Sequence, residues 1–406
     1  MIKIRTNILN PLSPDETELL KDQIIIIQAE RITQLRAYDV DQDHDSEDRR
    51  DCVLVPGLID LHVHLSQYRI RGIHRPALLP WLEEVVFPEE SRSANIDYSG
   101  HLAEEFFQAL FRSGTTTSVI YTAPYKSAGE TAFEVAEELG ARAFIGMTMM
   151  DQNSPQDLLQ NTQKSLEDSI ELYEQWDQKT PLLNYIFTPR FAPTCSEHLM
   201  RALGIFIRAN NAWLQTHLSE NKDEIAWVKE LFGLESYTQV YAEMGLLGPR
   251  SIFGHGIHLS DSEMRLLRES KSKIAHCPDS NFYLKSGEFP YQSVHDAGIE
   301  IGIGSDVGAG TTLDMLYHAK MACYRQSSFV ITPQRLFYHI SLGNAKLLGL
   351  ETEIGSIEIG KQADLVLFKL PSDTACDDAT LSRLCFYSHE FSVERTIIAG
   401  KIVHEA

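Results

Sequence analysis

The sequence is short of cysteine, of long apolar runs and of basic charge. Its six cysteines (Cys52, Cys195, Cys277, Cys323, Cys376, Cys385) are scattered through 406 residues without a C-x-x-C pair, so a disulfide framework is excluded and reduced, mostly structural thiols are expected. No stretch approaches the roughly 18 apolar residues that a membrane span requires. The start, Met1-Ile-Lys-Ile-Arg-Thr-Asn, has no apolar core before a small-residue cleavage site, and cytoplasmic residence with no membrane partner is the expectation. Lysine and arginine number 36 against 57 aspartates and glutamates, a formal charge of −21. Such a surface repels nucleic-acid backbones and anionic membranes, which leaves a neutral small molecule as the better-matched partner; the acidic excess itself reads mainly as an aid to solubility. No solenoid-length repeat and no low-complexity tract is present.

What the chain does have is a repeating pattern. Short β-branched apolar runs alternate with longer helical ones, which is the sequence form of βα units and a parallel sheet. Eight runs are counted: Val53 to Leu65, Thr115 to Ala123, Arg142 to Met150, Leu182 to Phe191, Ala212 to Leu218, Ser251 to His255, Lys273 to His276 and Glu300 to Asp306. Helices are expected between them, for example over Leu158 to Trp176 and Glu197 to Ala209. Eight strands each followed by a helix make a (β/α)8 barrel of the α/β class, over residues 56–354. Residues 1–55 and 355–406 read as short strands and turns that meet in one small discontinuous β-sandwich domain. The charged run Asp39 to Asp51 is expected to be a solvated loop.

In a barrel of this kind the active site lies at the C-terminal ends of the strands, so the residues that end the runs decide its chemistry. They are His62-Val-His64, His217-Leu-Ser-Glu220, His255, His276 and Ser305-Asp306. His62 and His64, two apart on a strand, share a face and can offer nitrogens to one ion. With His217, His255 and Asp306 at later strand ends, this is a metal site. Imidazoles with one carboxylate suit zinc or Fe(II), and the lack of cysteine there argues against a sealed structural site. Strand four ends Phe187-Thr-Pro-Arg190-Phe191 without the lysine that commonly bridges two metals, so one ion per subunit is expected, and a two-metal hydrolase of cyclic amides is disfavoured. His276 is read either as a support to the site or as core packing, and His258 as a loop residue. Gly302, Gly304, Gly308 and Gly310 lack nucleotide-fingerprint spacing and are expected to let the backbone approach the ligand.

Pro56-Gly-Leu-Ile-Asp-Leu-His62-Val-His64 resembles the strand-one signature of the amidohydrolase superfamily, and Gly355-Ser-Ile-Glu-Ile-Gly-Lys-Gln-Ala-Asp-Leu-Val is similar to the stretch where its chains return to the β domain. Thr216-His217-Leu-Ser-Glu220 and Gly304-Ser-Asp306 fit the aminohydrolase branch. Within it, the sequence resembles the guanine deaminase family at His64-Leu-Ser-Gln67-Tyr68, Leu79-Pro-Trp81-Leu-Glu-Glu-Val-Val-Phe87-Pro-Glu, Pro189-Arg190-Phe191 with Cys195-Ser-Glu197, His217-Leu-Ser-Glu220-Asn221 and His276-Cys-Pro-Asp279-Ser-Asn281. The resemblance implies zinc on His62, His64, His217 and Asp306, His255 beside the ion or its water, Glu220 as proton shuttle and Asp306 as acceptor of the water's proton. It implies Gln67 and Arg190 on the polar edge of guanine, Trp81 and Phe191 against its ring, and a homodimer. Two departures stand out: Asp279 where the family pattern has asparagine, and a short segment between Tyr68 and Leu79 carrying Arg69, Arg71, His74 and Arg75. Another heterocycle, such as 8-oxoguanine, a pterin or a triazine, is the alternative substrate, and an inactive scaffold the alternative from a different class.

Overall fold

The computed structural model describes residues 1–75 and 77–406. Among the described residues, fifteen strands form two sheets. One is an eight-stranded parallel sheet in sequential order: β5 (Leu58–His64), β6 (Thr115–Thr122), β7 (Arg142–Met149), β8 (Leu183–Pro189), β9 (Trp213–Leu218), β10 (Ser251–His255), β11 (Lys273–His276) and β12 (Ile301–Ile303). The other is seven-stranded and mixed. It combines β1 (Ile2–Ser13), β2 (Glu16–Gln28), β3 (Arg31–Ala37) and β4 (Glu47–Pro56) with β13 (Leu365–Lys369), β14 (Ser392–Ile398) and β15 (Lys401–Glu405), in the order β15-β14-β13-β4-β1-β2-β3. The chain thus carries the barrel and a small β unit built from both ends. No helix of the described residues is long and apolar enough to cross a membrane.

The barrel closes just beyond β12. Asp306 donates its backbone N–H to the His62 carbonyl at 2.7 Å, and His64 donates to the Val307 carbonyl at 2.7 Å. Along β9, Trp213, Gln215 and His217 share one face and show how a strand grades from core to site. Trp213 packs in an apolar cluster with Val119, Phe144, Ile186 and Ile252. Gln215 is fully buried and donates to the Ile120 carbonyl at 2.9 Å and to Thr188 Oγ1 at 3.0 Å. His217 ends the row. Between strands, helix ends carry their own signals: Ser260 caps the helix Asp261–Ser270 in a capping box with Glu263, and Gly140 ends Lys126–Leu139 at φ 75°.

Three expectations are corrected. The run Val53 to Leu65 is two strands, because the chain changes sheets at Gly57, whose N–H donates to the Asp364 carbonyl at 2.8 Å. A side chain at that crossing would meet Thr116 Oγ1 at 2.1 Å. The segment Asp39 to Asp51 is only partly a loop: Glu47 to Asp51 begin β4, in parallel register with β1 from Ile4 opposite Glu47. Asp41, His44, Asp45, Asp48 and Arg50 are exposed as expected, but Glu47 pairs with Arg395 at 2.9 Å and the buried Asp43 with Arg36 at 2.6 Å. The expected helices begin at Thr162 rather than Leu158 and run from Glu197 to Asn210. The two sheets are tied by a buried ion pair, Arg142 Nε to Asp364 Oδ2 at 2.7 Å, with Gln362 taking a second guanidinium nitrogen.

Candidate active site

At the C-terminal mouth of the barrel one ligand atom from each of His62, His217, His255 and Asp306 lies within 4.8 Å of every other. His64 joins them, with Nε2 3.2 Å from Asp306 Oδ1 and 3.2 Å from His217 Nε2. His62 Nε2 stands 3.3 Å from Asp306 Oδ1. Strand ends aim these groups. Asp60, His62 and His64 alternate onto one face of β5, while His255 (φ 70°) and Asp306 (φ 51°) sit in the left-handed region. Two non-glycine residues held there, each at a cost of about 1–3 kcal/mol, bend the chain so that their side chains face inward.

The donor set fits a divalent cation. His217 Nδ1 lies 2.6 Å from the Arg190 carbonyl, which can only accept, so the proton sits on Nδ1 and the Nε2 lone pair faces the cluster. His255 Nδ1 is held in the same way by Asn281 Oδ1 at 2.9 Å. His62 Nε2 and His255 Nε2 are buried without a hydrogen-bond partner, which a bound ion would remedy. Burial, reinforced by the neighbouring imidazoles, holds His217 well below its ordinary pKa, and burial brings His64 down to about 4. Burial opposes the charge of Asp306, but His62 and His64, close against its Oδ1, keep its carboxyl well below the usual range. Neutral nitrogens and an ionised carboxylate are what zinc takes.

Beside the cluster lies a small cavity lined among others by Gln67, Trp81, Arg190, Phe191 and Glu220. Glu220 Oε2 is 3.5 Å from His255 Nε2, and Ser286 donates to its Oε1 at 3.1 Å. Burial and the nearby Asp306 charge push its carboxyl up to about 8. Trp81 is buried and anchored by Nε1 on the Ile73 carbonyl at 2.9 Å. Arg190 and Gln67 come from different elements, the end of β8 and the turn after β5.

A model of the amidohydrolase family matches residues 53–403. The chain belongs to the amidohydrolase family. It is 36% identical over 372 residues to guanine deaminase of Escherichia coli (strain K12), covering 88% of this chain and 84% of that one. To guanine deaminase of Dictyostelium discoideum it is 37% identical over 322 residues, 77% and 72% of the two chains. Its fold matches the solved E. coli guanine deaminase with a TM-score of 0.94 and 31% identity over all of both chains. It also matches guanine deaminase from C. acetobutylicum with bound guanine, with a TM-score of 0.92 and 29% identity over 99% and 100%. The chain is a hydrolase of that family.

The other residues singled out in the sequence take definite places. Gly304 and Gly302 make room for β5 and its neighbours rather than for a ligand: an added Cβ would stand 2.6 Å from His62 Cβ at Gly304, and 2.2 Å from Leu61 Cδ1 at Gly302. Gly308 faces Gln67 and Gly310 faces the Ser305 carbonyl. His276 stacks on Phe289 at 4.3 Å and is no part of the metal group. His258 hydrogen-bonds the Ser286 carbonyl at 2.9 Å and so braces the residue that contacts Glu220. Asp279 accepts from Thr311 N–H and Oγ1 at 2.9 and 2.7 Å, fixing the loop after β12. The basic residues after Tyr68 face away from the cavity: Arg69 pairs with Glu105, Arg75 with Glu84, and Arg71 lies over Tyr68. Two buried carboxylates of the site escape sequence reasoning. Glu224 accepts the N–H groups of Glu220 and Asn221 at 3.0 and 3.1 Å, and the spacing Asn221-x-x-Glu224 of a capping box was its one signal. Glu90, buried between Arg190 and Gln67, had none.

Proposed function

We propose that this chain catalyses the hydrolytic deamination of guanine to xanthine and ammonia with one zinc ion bound by His62, His64, His217 and Asp306 and bordered by His255. The observation that carries this reading is that one cavity holds both the metal-ligand cluster and the four recognition side chains, in a chain whose relatives include guanine deaminases. Zinc, when bound, lowers the pKa of a coordinated water to about 7 and so supplies a nucleophile near neutral pH.

The residues of the chain do the rest. Arg190 has only donors and meets the carbonyl at purine position 6, while Gln67 meets the adjoining ring edge. Trp81 and Phe191 cover the ring and exclude water. Glu220, whose buried carboxyl is pushed up to about 8, passes a proton to ring N3 as water adds at C2. Asp306, held ionised, takes the proton that the attacking water loses. Glu220, left as a carboxylate, takes the remaining proton of the C2 hydroxyl as the carbonyl forms, Asp306 returns its proton to the departing amine, and ammonia leaves as the ring regains its conjugation. Glu224 holds the backbone at Glu220 in place through this exchange.

The test is direct: zinc-loaded protein is mixed with guanine, xanthine is followed by its absorbance and ammonia by a coupled assay. A panel with 8-oxoguanine, a pterin and a triazine decides among heterocycles, and absence of ammonia from all of them rejects the reading. Supported by the two sheets, the proposal also divides the chain near residues 55 and 355 into terminal β unit and barrel. A homodimer in the cytoplasm completes it, with sedimentation velocity testing the dimer.

A further inference from the structure

Glu90 lies in the short helix Phe87–Ser91 and is 1% exposed. Its Oε2 accepts from Arg190 Nη1 at 2.6 Å. Its Oε1 accepts from Gln67 Nε2 at 2.9 Å and from Ser66 Oγ at 3.3 Å. The residue is not among those lining the cavity. It therefore acts on a ligand only through the two side chains it holds, and both of those do line it.

Three consequences follow from its chemistry. An ionised carboxylate only accepts, so the Gln67 amide is locked with its nitrogen toward Glu90. The Gln67 oxygen consequently faces Gly308 N–H, at 3.4 Å, and the cavity, where it offers an acceptor to a ring N–H. Arg190 keeps its other guanidinium nitrogens free of protein hydrogen bonds among the described residues, so they remain donors for a carbonyl. Finally, the charge of Arg190 is balanced before any ligand arrives. An unpaired buried guanidinium attracts anions; one already paired with a carboxylate at 2.6 Å presents donor geometry without net charge.

We propose that Glu90 is a positioning and specificity residue that makes the Arg190–Gln67 surface electrically neutral, so that the site takes neutral heterocycles and rejects their anions. This rests on the reading of the site as a purine-base site. It also bears on turnover, since xanthine is more acidic than guanine and the anion formed on ionisation is poorly held, which favours release of product.

The experiment compares binding of xanthine and hypoxanthine to zinc-loaded protein by titration calorimetry at about pH 6 and about pH 8. Xanthine loses a ring proton over this range and hypoxanthine does not, so the ratio of their dissociation constants cancels titration of the protein itself. In the wild type xanthine should weaken several-fold relative to hypoxanthine on going to the higher pH. In the isosteric Glu90→Gln that weakening should vanish or reverse, while KM for guanine rises about tenfold, the effect of losing one hydrogen bond to a charged group, with a smaller change in kcat. A purely structural role would weaken both bases alike and leave their ratio unchanged. The inference is overturned by a wild-type ratio that is independent of pH, or by Glu90→Gln keeping the wild-type ratio. The wild-type comparison stands even if the variant does not fold. Binding is read without turnover, so failure to deaminate guanine would reject the proposed reaction and not this inference.

Discussion

Replacing Gly304 by alanine tests the packing on which the metal cluster rests. The added methyl would stand 2.6 Å from His62 Cβ, 2.8 Å from its backbone N and 3.1 Å from its Cα. Two of those three atoms are main chain and belong to a strand paired with β6, so they cannot swing aside as a side-chain tip would. Overpacking costs about 1–3 kcal/mol where neighbours can yield, and this site belongs at or above the upper end. Stiffening of the unfolded chain returns only about 0.4–1 kcal/mol. The net loss is about 2 kcal/mol or more, and the strain that remains displaces His62 from Asp306. Gly100 supplies the control. It lies inside the helix Ile96–Arg112, its nearest neighbour would be Thr131 Cγ2 at 3.7 Å, and alanine there should stabilise by about 0.5–1 kcal/mol. Both variants are unfolded in urea without metal, and their zinc content is measured by plasma mass spectrometry after dialysis. Gly304→Ala within about 0.5 kcal/mol of wild type and fully loaded with zinc would refute the reasoning, since surface-like substitutions fall in that band.

Other perturbations separate the parts of the site. Glu220→Gln should keep its zinc and lose about 10²- to 10⁴-fold in kcat, because an amide moves no proton; near-normal turnover removes Glu220 from the mechanism. His217→Ala should lose metal and activity together, and a fully zinc-loaded variant would reject that ligand. Asp364→Ala should cost about 3–5 kcal/mol of stability, because it strands the buried Arg142, while kcat/KM of the folded fraction changes little; a loss under about 1 kcal/mol in denaturant unfolding is the contrary result. Arg190 should make adenine a poor substrate, since an amino group at position 6 gives it nothing to donate to, at a cost of about 1–3 kcal/mol. Comparable kcat/KM for guanine and adenine would sink that assignment.

The barrel and its ligand-bearing strand ends were legible because both rest on short-range rules. Alternation places His62 and His64 on one face of β5, and parallel βα units put every strand end at the same mouth. What stayed hidden depends on packing across the chain. The apolar run through Gly57 reads as one strand, since nothing local shows that the hydrogen-bond partners change there from β13 to β6. Gly304 reads as a gap for a ligand because spacing marks a glycine as necessary without saying what it must avoid. His62, 242 positions earlier, is what it avoids.

Glu90 and Glu220 carry this furthest, for they are the same residue type, both buried, and separated in role by their partners alone. Glu90 meets a guanidinium and an amide N–H, three donors in all with the Ser66 hydroxyl, and serves as a fixed acceptor. Glu220 meets one hydroxyl and an imidazole, and its carboxyl is pushed up to about 8. A carboxylate rich in donors holds geometry; one starved of them holds a proton. The barrel supplies the second kind at the end of β9, whereas the short helix after residue 86 supplies the first. Under the proposed function Glu90 acts on recognition only through Arg190 and Gln67, just beyond the ends of β8 and β5, so a substitution in the helix should alter recognition while leaving the cluster intact. Neither glutamate announces its class in sequence, because the class is set by side chains that lie 100 residues away for Glu90, at Arg190, and 66 residues away for Glu220, at Ser286.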